Sequence, residues 1–176
     1  MKIIPKIVIT MALTVMSLKA YAEDLKLAKE LAIFEQYLGS WESEFDPKEG
    51  QPKMVDVSKW ERALNGTTVR TLHSINDGMY GGESLIFFDK EKGKVVFYYF
   101  TTAGFYTQGW IEQIADNAFV AYEDVSGNKD GITQVKSTST LTPNKITVET
   151  SYFKKGNWTK PEARIYVRSE KTVTFK

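Results

Sequence analysis

The chain has 176 residues, 42% hydrophobic and 13% aromatic, with 23 basic residues, 22 acidic ones and a single histidine. This near-neutral balance, with no run of basic residues, argues against a nucleic-acid binder, which wants a clustered basic face. The absence of cysteine excludes disulfides, thiolate metal sites, cysteine nucleophiles and a lipid-modified N-terminal cysteine.

Residues 1–22 read as an export signal. Lys2 and Lys6 form a positive n-region, residues 7–18 an apolar run, and Ala20-Tyr21-Ala22 an A-x-A cleavage site. About twenty apolar residues are needed to cross a bilayer, so this run is too short to be an anchor. Lys2, Lys6 and Lys19 leave with it, and residues 23–176 keep 20 basic against 22 acidic residues. That length suits one domain with its own hydrophobic core. A periplasmic or secreted location is expected, with no stable membrane anchor.

Residues 23–38 predict the one helix, because Leu27, Leu31, Phe34 and Leu38 form an apolar stripe at helical spacing and Gly39 follows as a stop. Its apolar face is expected to plug a barrel end or cover a wall. Strands are predicted over 39–45, with Trp41, Ser43 and Phe45 on one face, and over 54–64, carrying Trp60 and Arg62. A polar loop over 46–52 separates them. Asn65-Gly66 is a strong hairpin signal. The next strand covers 67–75, and Asn76-Asp77-Gly78 closes it.

Residues 79–111 form the organising stretch. Three runs rich in aromatic and β-branched residues are punctuated by glycine turns, the pattern of an antiparallel meander. Further strands follow over 117–125, 132–142, 145–153 and 163–175, the middle two joined at Pro143-Asn144. About ten strands with short turns and no intervening helical period predict an all-β, antiparallel up-and-down barrel.

At Gly39-Ser40-Trp41 the chain resembles the lipocalins of the calycin superfamily, where a helix runs into G-x-W at the start of the first strand. The middle is similar to bacterial lipocalin-like domains of unknown function, through Trp60, Leu64-Asn65-Gly66, Gly81-Gly82, Phe87-Phe88-Asp89 and Gly104-Phe105. The resemblance covers roughly residues 31–168. It implies that Trp41 packs at the closed end of the barrel under an arginine of the last strand, Arg164 or Arg168, as a structural closure. It also implies a binding role for small hydrophobic or amphipathic molecules. Haem-binding relatives use an axial histidine and a longer glycine-rich motif. Here Glu42-Ser43-Glu44 follows the tryptophan, so the pattern is broken and no cofactor is expected.

His73, alone, excludes multi-histidine metal sites and any triad not built on it. The stretch from Asp124 to Gly131 resembles a calcium loop, but Val135 stands where the bidentate glutamate belongs, so no metal is expected. Glu83 and Glu112 are carboxylates with no defined spacing, and nothing supports catalytic residues. Phe87, Phe97, Tyr99, Tyr106 and Trp110 are the candidate pocket lining, with Arg70, His73, Tyr106 or Gln108 orienting a polar head group. Residues 85–88 and 95–100 are apolar on both faces, so something is expected to cover the outer one. The helix or a second copy fits better than lipid, since no positive charge accompanies the patch. A filled barrel acting as an interaction module and an enzyme with a cavity acid or base stay open beside the ligand-binding reading.

Overall fold

The computed structural model describes residues 26–45, 53–127 and 129–176. The expected signal segment, the start of the expected helix, the loop over 46–52 and Asn128 of the calcium-like turn lie outside the described residues. Among the described residues eleven strands run in order: β1 (Gly39–Phe45), β2 (Met54–Ala63), β3 (Thr68–Ile75), β4 (Tyr80–Asp89), β5 (Lys94–Thr101), β6 (Tyr106–Ala115), β7 (Ala118–Asp124), β8 (Ile132–Thr142), β9 (Lys145–Lys154), β10 (Asn157–Trp158) and β11 (Glu162–Arg168). Each of β1 to β9 pairs antiparallel with its chain neighbour, and β11 bridges β9 back to β1. Ten strands therefore close a ring, with the short β10 appended to the end of β9. Closure removes the open edges that make flat sheets stick to one another.

One end of the ring is plugged. The expected α-helix is instead a 3₁₀ helix over Lys29–Tyr37. Its three residues per turn align Leu31, Phe34 and Tyr37, all fully buried, whereas an α-helical winding would run the stripe through Leu27, Leu31, Phe34 and Leu38. The helix enters the barrel mouth rather than covering a wall. Phe34 meets Phe119 edge-on at 5.2 Å, and the Tyr37 ring lies 5.6 Å from Trp60. Ala28 N donates to Gly66 O at 2.8 Å, and Tyr37 Oη to Asn117 O at 2.7 Å. Gly66 has φ +83°, and a Cβ there would collide with the Lys26 carbonyl, so the predicted Asn65-Gly66 turn also seats the plug.

The last strand ends at Arg168, not near 175. Trp41↔Arg168 is the last pair in register between β11 and β1, and β1 begins two residues earlier at Gly39. Residues 169–176 turn back instead and strap the outer wall along one cross-strand row: Glu42, Val57, Ser74 and Gly81. Lys171 Nζ lies 3.1 Å from Glu42, Thr174 N donates to Ser74 Oγ at 3.1 Å, and Phe175 packs where Gly81 has no side chain. Val57 and Ser74 face outward yet are only 8% and 2% exposed. A chain ending at Arg168 is expected to keep its β-sheet circular dichroism but lose about 1–2 kcal/mol, a drop of roughly 3–6 °C in Tm. An unchanged Tm would show that the strap adds nothing.

The outer face of β4 to β7 is aromatic because neighbouring strands stack their rings on one another. Phe87 stacks on Tyr98 with centroids 6.3 Å apart and Trp110 on Tyr122 at 5.0 Å, with Lys94 Nζ 5.6 Å from the Trp110 ring. Beyond the Phe175 contact at Gly81, no element among the described residues covers this face.

Candidate functional site

The pleat decides what faces inward. The inner row runs Trp41↔Ser58↔His73↔Gly82 through β1 to β4, and Ser84↔Tyr99↔Thr107 through β4 to β6. Trp41, Ser58, His73, Ser84 and Tyr99 of these rows line an open cavity of about 310 Å³. Near the plug its walls are apolar: Trp60, Ile86, Ile111, Phe119 and Ile146. Towards the opposite end they turn polar, with Asp56, His73, Tyr99 and Glu123, and the Tyr166 hydroxyl reaches Asp56 from the level of Ile146.

The polar groups form a connected chain. Tyr166 Oη donates to Asp56 Oδ2 at 2.9 Å, Asp56 Oδ1 lies 3.2 Å from His73 Nδ1, and His73 Nε2 lies 2.7 Å from Tyr99 Oη. Tyr99 in turn donates to Tyr80 Oη at 3.2 Å. Asp56 is 4% exposed, and burying a carboxylate requires such partners. Burial pushes the Tyr99 and Tyr166 phenols above their usual range, with the neighbouring Tyr80 and Asp56 respectively adding to the effect. Both therefore stay neutral hydrogen-bonding groups near pH 7. Burial also raises the Glu123 carboxyl, which the Thr107 hydroxyl beside it only partly offsets.

At the plugged end Arg168 lies with its guanidinium carbon 3.7 Å from the centre of the Trp41 ring. It donates through Nη1 to Leu38 O at 2.5 Å and through Nη2 to Gln36 O at 3.2 Å. Trp41 Nε1 donates to Tyr37 O at 2.7 Å. A Cβ on Gly39, whose φ is +111°, would stand 2.7 Å from Arg168 Nη1, which is why glycine precedes the tryptophan by two. Arg164, four residues back along β11, is at the other end, 3.9 Å over the Phe45 ring.

Of the candidate lining residues, His73, Phe97 and Tyr99 face the cavity. Arg70, Phe87, Tyr106, Gln108 and Trp110 lie on the outer face, which corrects the expectation for these five. The pairings Thr68↔Phe87, Tyr98↔Gln108 and Val96↔Trp110 place them there, and β6 offers Thr107, Gly109 and Ile111 inward instead. Arg70 is held outside by Glu61 at 3.2 Å and Glu83 at 2.7 Å, and Glu112 accepts from Trp110 Nε1 at 3.1 Å. Asp56 and Glu123 were not among the expected lining residues. Asp56 was findable, since Asp56, Ser58 and Trp60 alternate on one strand face. Glu123 was not, because residues 118–122 are apolar on both faces.

Fold and site together define a closed ten-stranded up-and-down barrel, plugged at one end, with an internal cavity that grades from apolar to polar. Searches against models of known protein families and against curated protein sequences find no match.

Proposed function

We propose that this is an exported, lipocalin-like binding protein that holds a small amphipathic molecule inside its barrel. The graded cavity carries the reading. Its 310 Å³ lies at the small end of the range of about 300–1,000 Å³ usual for ligand pockets. Apolar walls near the plug suit a hydrocarbon or ring body, and the Asp56–His73–Tyr99 chain supplies a few placed polar groups to orient a head. The G-x-W motif, with its tryptophan under Arg168, supports the lipocalin-like assignment, and the segment over 1–22 supports export.

Native mass spectrometry of protein purified from its own periplasm or medium, against denaturing spectra, tests this directly. A reproducible mass lost on denaturation supports the reading. A cavity-filling variant tests the location. Ala121→Trp is expected to weaken binding of the neutral fluorescent probe N-phenyl-1-naphthylamine by about tenfold or more, with β-sheet circular dichroism retained. Equal binding by the variant would place the probe elsewhere.

A second reading has its own observation. Phe100 and Tyr106 on the outer wall and Phe105 in the turn between them are 48%, 62% and 52% exposed, a surface a second copy would cover. Sedimentation of the protein with Phe100→Ser and Tyr106→Ser tests it: a dimer lost in the variant supports self-association through this face.

A further inference from the structure

Resting on the reading of the cavity as a ligand site, we propose that the ligand head is a protonated amine, seated against the Glu123 carboxylate at the polar end. The first ground is the sign of the walls. Asp56 and Glu123 face the cavity, and among the described residues no lysine or arginine lines it. The lining thus sets two carboxyls against a single imidazole. A carboxylate or phosphate head on this lining would meet two carboxyls and no lining cation, since the nearby Arg164 guanidinium is laid over the Phe45 ring and against Tyr166.

The second ground is that Glu123 stands apart from the other acids. On the outside, Glu61 and Glu83 pair with Arg70, Glu35 with Arg62, and Glu42 with Lys171. Inside, Asp56 is occupied by Tyr166 and His73. Glu123 has the Thr107 hydroxyl beside it and the Tyr99 and Tyr152 phenols nearby, and among the described residues no ion pair holds it. An ammonium brings what Glu123 lacks: a positive charge and N–H donors.

The test compares octylamine, octanol and octanoate at pH 7, as competitors of N-phenyl-1-naphthylamine on the mature protein. Octylamine is expected to bind about tenfold or more tighter than octanoate, with octanol between. Glu123→Gln is expected to erase the preference of amine over alcohol, its fold checked by circular dichroism and thermal unfolding. Octanoate binding as tightly as octylamine, or an amine preference that survives intact in Glu123→Gln, overturns the inference while leaving the ligand site standing. Failure of the probe and all three competitors to bind overturns the site reading and the inference with it. If Glu123→Gln does not fold, the ranking of amine over carboxylate by the wild-type protein decides alone.

Discussion

Replacing Trp41 by alanine is expected to lower stability by about 3–5 kcal/mol, the range for deleting a large buried aromatic. The ring is fully buried and does three things at once. It fills the plugged end beside Phe34 and Tyr37, it ties the helix down through Nε1 to Tyr37 O, and it supplies the face on which Arg168 rests. Arg168→Ala is expected to cost about 1–3 kcal/mol, from two charge-assisted hydrogen bonds to Leu38 and Gln36 plus the lost stacking. Arg168→Lys should recover little of that, because an ammonium lacks the planar fork that reaches both carbonyls. Urea unfolding of the two single variants and the double variant checks the scheme. A coupling of about 1–2 kcal/mol is expected between the two sites. Simple additivity would mean that tryptophan and arginine stabilise the closed end independently.

Asp56→Ala is the second large effect, an expected loss of about 2–4 kcal/mol. The substitution leaves the Tyr166 hydroxyl and one His73 nitrogen without their partner inside the wall. Asp56→Asn keeps an acceptor at the same place and should cost less than half as much. Tyr166→Phe removes the other end of one bond and should cost about 1 kcal/mol, while in the Asp56→Ala background it should cost almost nothing. Denaturation curves for this set decide the matter. If Asp56→Ala matches the wild type, water replaces the carboxylate and the network is wetter than its burial implies. Loss of N-phenyl-1-naphthylamine binding in Asp56→Asn, at nearly wild-type stability, would assign Asp56 to the ligand as well as to the wall.

Much of the fold was legible because strand and turn signals are local. The run from Gly39 to Phe45 became β1 at the expected bounds, and Asn65-Gly66, Asn76-Asp77-Gly78 and Pro143-Asn144 turned the chain where their backbone preferences require. Up-and-down topology followed from short connections. The plug was visible as an apolar stripe, but its 3₁₀ winding was not, since Leu31 and Phe34 satisfy three- and four-residue spacings alike. The path of residues 169–176 was equally hidden. Lys171, Val173 and Phe175 alternate like a strand, and only the end of β1 at Gly39 decides that the chain must leave the ring.

The site divides in the same way. That aromatic strands of this chain surround something, and that His73 is its only histidine, belong to the sequence alone. Which ring points inward does not. Residues 85–88, 95–100 and 118–122 are apolar on both faces, so alternation carries no sign there, and a one-residue step exchanges wall for cavity. Closure of the barrel sets that sign, because Tyr99 must follow Ser84 and His73 must follow Ser58 around one ring. Tertiary pairing thereby brought Asp56, His73, Tyr99 and Tyr166 into one chain from β2, β3, β5 and β11. The same pairing sent Arg70, Phe87, Tyr106, Gln108 and Trp110 to the outside.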